Sequence, residues 1–283
     1  MNNSETPLGT HDAFKNTAAW NSETSQMWVA ALNLRATATD QIALRRQIVS
    51  LANLKHGDSA IEVGCGTGAL LCDLARAVGA SGQVIGVEPQ TALAEAARQK
   101  ITAEGFSEIA AVKNESAEYL SVESETAAAC LAQTVLIHLP EQLLQNALAE
   151  MARVVRRGGR VVSCDQDGDT WTIDHPDREL TRRIVRFNSD QRYADGWTGR
   201  RLRRLFRVAG LRQIEVQTLV HADTEKSSYL FGMAERIANA AMEVGEISQE
   251  ENAKWLTQLN AQAVAGNFFS SINYYICVGV RDL

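Results

Sequence analysis

Residues Ala60 to Leu70 read Ala-Ile-Glu-Val-Gly-Cys-Gly-Thr-Gly-Ala-Leu: a short apolar strand, three alternate glycines, then the start of a helix. Gly64, Gly66 and Gly68 let the backbone turn sharply and approach a ligand where a Cβ would collide. Twenty residues after Gly68, the run Val84-Ile85-Gly86-Val87 ends in Glu88, a carboxylate placed to accept ribose hydroxyl hydrogen bonds. Pro89 stops that strand. Strand, turn, helix, strand and acid in this order predict an α/β fold that binds a nucleoside cofactor.

The loop resembles motif I of the class I methyltransferases that use S-adenosylmethionine, hydrophobic-acidic-hydrophobic-Gly-x-Gly-x-Gly, with Glu62, Gly64, Gly66 and Gly68 in those places. The resemblance implies that the loop, Cys65 included, cradles the methionine end of the cofactor and that Glu62 helps to anchor its amino group. Ala69 also completes Gly-x-Gly-x-x-Ala, the pattern of a dinucleotide-binding dehydrogenase, so the loop alone leaves both open. Three features favour the methyltransferase: Glu62 inside the strand, some sixty residues ahead of the loop, and no obvious second catalytic domain after it.

Later segments follow the family order. Val112 to Glu118 resembles the third-strand region, where the family commonly carries Gly-Asp-Ala beside the adenine; here Ser116 replaces the Asp, and Ala117 follows. A serine hydroxyl still accepts from the adenine amino group, and the Ala117 backbone serves the ring. Cys130 to Pro140 corresponds to the fourth strand and its exit, which puts Gln133 near the sulfonium. A helix is expected over Glu141 to Val155, with Leu144, Leu148, Met151 and Val155 on one stripe. Arg156, Arg157, Gly158 and Gly159 would end it, and Arg160 to Cys164 begins the fifth strand. The Glu-x-x-Arg-Val-x-x-x-Gly-Gly pattern from Glu150 to Gly159 is similar to the small-molecule, ubiquinone-biosynthesis-like branch. The resemblance spans about Gln41 to Val220 and the last strand. It implies a Rossmann-like, seven-stranded, mostly parallel sheet with helices on both faces.

The 283 residues are ample for a continuous core, and the net charge of −6 gives no general reason to expect nucleic acid or an anionic membrane as partner. Five cysteines without a C-x-x-C pair read as reduced thiols of a cytoplasmic protein. Met1 to Asn16 has no basic leader followed by an apolar run, and no stretch reaches the roughly 20 apolar residues of a membrane span.

The expected organisation is an N-terminal helical cover over 1–40, a cofactor-binding domain over 41–220, a helical insertion over 221–266 that serves as lid or dimer contact, and the last strand within 267–283. One helical stretch is expected over Trp20 to Ser50, and two in the insertion, about Ser227 to Val244 and Ser248 to Ala265.

Three features invite sharper roles. Asp165, Asp167 and Asp169 alternate as metal carboxylates do, yet the calcium-loop pattern fails at Thr170 and Pro176. A hydrogen-bonded loop is preferred to a magnesium site of the kind metal-dependent catechol methyltransferases carry, and no metal is expected. Between Asp177 and Arg207, ten arginines face four acids, an excess of six. Apolar residues at helical spacing make this stretch two amphipathic helices with solvated basic faces, in which Arg200 is the candidate for gripping an anionic substrate group. His138, at the exit of the fourth strand, is the candidate general base, although His-Leu is also a structural element of that turn in the family.

Methyl transfer is an in-line displacement that needs alignment and exclusion of water more than acid-base chemistry. The resemblance therefore implies S-adenosyl-L-methionine as cofactor and a small-molecule acceptor methylated on O, N or C. An RNA or protein methyltransferase and a catalytically silent cofactor binder are the alternatives. No membrane partner is expected, nucleic acid is disfavoured, and a homodimer through the insertion is an option.

Overall fold

The computed structural model describes residues 11–14 and 20–282. The polar start, Met1 to Asn16, in which no signal or transit peptide is expected, therefore lies largely outside the described residues.

The glycine segment folds as the sequence implies. Strand β1 (Ser59–Val63) leads through the loop into helix α3 (Ala69–Val78), then into β2 (Gln83–Val87), α4 (Thr91–Ala103) and β3 (Ala110–Lys113). β4 (Ala127–Gln133), α5 (Glu141–Val154) and β5 (Val155–Gln166) repeat the unit on the other side of β1. These five strands are parallel in the order β3-β2-β1-β4-β5, so the chain reverses direction across the sheet between β1 and β4. A crevice opens at the carboxyl ends of strands where the order reverses, and that is where open α/β sheets bind ligands.

Beyond β5, β8 (Ser270–Val280) runs antiparallel and pairs on its outer side with β7 (Arg212–Asp223). A two-residue strand, β6 (Thr172–Ile173), pairs with the start of β8 and makes the eighth strand where seven were expected. Two residues are too few to show a period-2 pattern in sequence.

One sheet face is covered by α3, α4 and α2 (Thr39–Ala52), a layer extended by α6 (Arg178–Asp190), α8 (Tyr229–Glu243) and α9 (Gln249–Val264). The other face carries α5 and α7 (Thr198–Val208). Among the described residues no helix is long and apolar enough to cross a membrane.

Three local expectations change. The single stretch over Trp20 to Ser50 is two helices, α1 (Ser22–Thr37) and α2, because Ala38 is extended between them, with φ −63° and ψ 136°. Thr39 and Asp40, expected to close the cover, are the first turn of α2. Gly158 and Gly159 do not cap α5. That helix passes into β5 at Val155, and Gly158, with φ 74°, lies inside the strand where its register with β4 shifts. A left-handed glycine marks a β-bulge as readily as a helix end. The third strand ends at Lys113, so Ser116 and Ala117 stand in the loop that follows it.

The insertion is tied into the body by Trp255 of α9. Its indole is fully buried, stacks on His175 at 4.8 Å and donates to Thr181 Oγ1 at 3.0 Å. His175 Nε2 in turn meets the Trp255 carbonyl at 3.1 Å. Trp255→Ala is expected to cost about 3–5 kcal/mol of folding stability by chemical denaturation. A loss below about 1 kcal/mol, the range of surface substitutions, would show that α9 is not part of the cooperative core.

Candidate active site

A single continuous cavity lies over the carboxyl ends of β1, β2 and β4. Its inner half is lined by Glu62, Gly64, Cys65, Gly66, Glu88, Pro89, Ser116, Ala117 and Gln133, which the chain brings from four separate segments. Gly68 does not line it. That residue caps α3 in the left-handed conformation, φ 81°, and an added Cβ would lie 3.1 Å from Ala97, so it sets the course of the loop from behind. At Gly64, with φ 65°, a Cβ would collide with the Val135 side chain.

Glu88 is buried and its two oxygens accept from Gly66 N at 2.9 Å and Gln90 N at 3.0 Å. Glu88 thus ties the glycine loop to the end of β2. Burial raises its pKa above the usual carboxylate range, against the lowering effect of those two hydrogen bonds.

Glu62 differs. It is buried, its Oε2 has no hydrogen-bond partner, and desolvation, followed by the charge of Asp73, pushes its pKa well up. Arg45, whose charge opposes that shift, is committed to Asp73 at 2.8 Å and to the Ala36 carbonyl at 2.9 Å. Two further buried polar atoms on cavity-lining residues lack partners, Gln41 Nε2 and Thr134 Oγ1. Buried polar groups are almost always paired, so orphans clustered on one cavity wall describe a ligand's complement. A carboxylate orphan asks for a cation, as the ammonium of an amino-acid moiety provides.

Thr134 itself has φ 58°, a conformation that a β-branched residue rarely adopts. Its N–H is anchored to the Cys164 carbonyl at 2.7 Å, and the kink directs the chain from Gln133 into the turn Leu136–His138. Gln133 Nε2 donates to Gln41 Oε1 at 3.3 Å, linking β4 to α2.

His138 lines the same cavity, and its Nδ1 lies 2.9 and 3.0 Å from the two carboxylate oxygens of Asp12. Asp12 also accepts from Phe14 N at 2.8 Å and Ala194 N at 3.4 Å. An Nδ1–H held by a carboxylate leaves Nε2 as an acceptor. Beneath the turn, Asp165 accepts from Ile137 N at 3.2 Å and Ser163 Oγ at 3.1 Å, and burial raises its pKa to about 7.

The outer half of the cavity is aromatic. Phe14 lies 4.8 Å from Trp28 and 4.6 Å from His138, while Tyr193 meets the histidine edge-on at 5.4 Å. Leu32, Arg35, Gln166 and Tyr229 complete the wall.

Arg200 is not there. Its guanidinium binds Asp167, at 2.6 Å through Nη2, reaches Asp169 at 3.2 Å and lies over Trp197 at 4.7 Å. The candidate substrate grip is therefore a structural ion pair, and the Asp167 that invited a metal reading is one half of it. Among the described residues no group of three or more His, Cys, Asp or Glu converges on a common point. The five cysteines are buried and unpaired with one another. Sequence reasoning missed Asp12, Gln41, Thr134, Tyr193 and Tyr229, which reach the site from outside the glycine motif and carry no local pattern; Arg35 was legible only as one of the residues on a single face of the N-terminal helix, with Trp28, Ala31 and Leu32.

Fold and site define a Rossmann-like binder of a nucleoside attached to an amino acid. A methyltransferase-domain family model matches residues 60–159. An uncharacterized 37.1 kDa protein of transposon Tn4556 from Streptomyces fradiae is 32% identical over 254 residues, 88% of this chain and 70% of that protein. Demethylmenaquinone methyltransferase of Bacillus subtilis is 32% identical over 118 residues, 42% of this chain, and the match spans about half, 49%, of that enzyme. Among solved structures, a putative methyltransferase from Bacillus halodurans has the same fold at TM-score 0.61 and 14% identity, over 84% of this chain and 99% of that one. Residues 60–159 thus form a methyltransferase domain of the class I, S-adenosylmethionine-dependent kind.

Glu62, Glu88 and Asp165 all hold their protons more tightly when folded. The stability they confer is therefore full below pH about 4 and is lost as pH rises through their folded values, about 7 for Asp165. Glu62→Gln removes one such group. It is expected to stabilise the ligand-free protein at mildly alkaline pH by about 1–3 kcal/mol while weakening S-adenosylhomocysteine at least tenfold. Thermal melts and calorimetric titration check both halves. A destabilised variant, or one that binds as wild type, would contradict this account of the orphan carboxylate.

Proposed function

We propose that this chain methylates an oxygen nucleophile on a small, flat acceptor held in the aromatic half of the cavity. The observation that carries the reading is the His138–Asp12 pair, which stands on the wall of one cavity shared by the glycine loop and the aromatic chamber.

S-adenosylmethionine, when bound, supplies a methyl group made electrophilic by its sulfonium. Glu62 fits its ammonium, Glu88 its ribose hydroxyls, and Ser116 and Ala117 its adenine; the glycine loop lets the backbone close on the methionine end. Gln133 stands between that end and the acceptor chamber. His138 Nε2 takes the proton of the acceptor hydroxyl as the oxygen attacks, and Asp12 holds the ring in the tautomer that can do so and stabilises the imidazolium formed. Phe14, Trp28, Leu32, Tyr193 and Tyr229 sandwich the acceptor and exclude water, which turns the encounter into a positioned one.

The arginine-rich helices give little support to an RNA substrate. Arg182, Arg183, Arg186, Arg200 and Arg201 are each paired with an acid, as a solvated structural face would be. Helix α8 contributes Tyr229 to the chamber wall, which supports reading it as part of the cover over the acceptor.

Incubation with methyl-labelled S-adenosylmethionine and a panel of phenols should transfer label to the phenol oxygen. His138→Asn should lower kcat about 10²–10⁴-fold, and Asp12→Asn should lower kcat by a smaller factor. Binding of S-adenosylhomocysteine should be unchanged in both variants. Label recovered in RNA or protein instead, or full activity in His138→Asn, would overturn the proposal.

A further inference from the structure

Helix α1 crosses the aromatic half of the cavity and contributes Trp28, Leu32 and Arg35 to its lining, at helical spacing along one face. Two of these are apolar walls. Arg35 is not, and unlike Arg45, Arg200 and Arg201 it has no acidic partner among the described residues; Arg236 of α8, also without one there, lies over the same Trp28 and Tyr229 rings at 5.7 and 5.6 Å but does not line the cavity. Arg45, which also lines the cavity, is neutralised by Asp73. Arg200 and Arg201, nearby on α7, are neutralised by Asp167 and by Asp195 and Glu141. The groups that face the half-buried Arg35 guanidinium are the neutral phenols of Tyr193, Tyr229 and Tyr274, with the Cys164 thiol beneath. No carboxylate pairs with it among the described residues.

The same corner is rich in donors. Gln166 Nε2 donates to the Tyr193 hydroxyl at 2.6 Å, which leaves that hydroxyl's own proton to be donated. The buried Tyr274 hydroxyl has no partner. The Tyr229 ring, 5.8 Å from the guanidinium carbon, holds Arg35 over its face and fixes its direction. A guanidinium is always charged, and its five N–H donors with the phenol proton of Tyr193, which lines the cavity as Tyr274 does not, form the complement of an acid.

We infer that the acceptor is an aromatic carboxylic acid whose carboxylate pairs with Arg35 between Tyr193 and Tyr229, while its methylated oxygen faces His138. The inference rests on the reading of the aromatic chamber as the acceptor site. A monoanion fits better than a phosphate, because Arg35 is the one cation on this lining without an acidic partner and Glu62 and Glu88 line the other half of the cavity. The pairing also orients the acceptor: with one end on Arg35, a flat ring between Trp28, Phe14 and Tyr193 can present its other end to only one place.

The test is calorimetric titration of protein saturated with S-adenosylhomocysteine. The probes are 4-hydroxybenzoate, 4-hydroxyphenylacetate and indole-3-acetate, each beside its neutral carboxamide. On the wild type at least one acid should bind about tenfold or more tightly than its amide, in line with a charged hydrogen-bonded pair. Arg35→Gln should bring acid and amide to parity with unchanged S-adenosylhomocysteine affinity, and Arg35→Lys should restore part of the preference. Equal binding of acids and amides to the wild type, no binding of any acid, or a preference that survives Arg35→Gln would overturn the inference. Failure of S-adenosylhomocysteine itself to bind would remove the cofactor reading instead, so the two failures are distinct.

Discussion

A buried carboxylate without a partner is the point on which this site depends. Glu62 lies in the middle of a parallel sheet, one residue before β1 ends, where desolvation makes an isolated charge costly. It sits beside the reversal of strand order, where the crevice is deepest, and the left-handed glycines let the backbone pass close by. The fold could have satisfied Glu62 with Arg45, which instead reaches across to Asp73 and the end of α1. An unfilled hydrogen-bonding position on a buried carboxylate is a local loss of stability that a ligand's ammonium would reverse.

The second half of the site is assembled by a different principle. Nothing in the sheet requires His138 to be a base; what changes its chemistry is a segment more than a hundred residues away in sequence. Asp12 is held by Phe14 and Ala194, and Arg192 binds the His11 carbonyl, so the N-terminal segment is fastened to the loop between α6 and α7 across the mouth of the cavity. Phe14, Trp20 and Trp28 then stack on one another, at 4.8 to 6.0 Å between ring centres, and carry α1 into place over the chamber. The glycine-loop half and the aromatic half of the cavity are thus built from different parts of the chain, with Gln133, Thr134 and His138 on the shared wall.

This division explains what could be read from the sequence. The glycine loop and Glu88 were legible because backbone geometry demands particular residues at particular spacings, and the same holds for Glu62 two residues before Gly64. Gln133, Ser116 and Ala117 followed from order along the chain. Asp12, Tyr193 and Tyr229 were not legible: an acid in a polar segment and tyrosines near helix ends acquire meaning only through tertiary contacts. Arg200 misled for the complementary reason, since the sequence shows its charge but not that Asp167 already holds it. Gly158 misled because φ above zero serves a strand bulge as well as a helix end, and β6 because two residues show no period.

If Glu62 is protonated in the free protein and ionises against the cofactor's ammonium, binding must expel a proton. The direct measurement is calorimetric titration of wild-type protein with S-adenosylhomocysteine near neutral pH in buffers of different ionisation enthalpy, since the slope of heat against that enthalpy counts protons. Release of about one proton per ligand, lost in Glu62→Gln, is the predicted result. Binding with no proton release, or release that persists in the variant, would contradict the account.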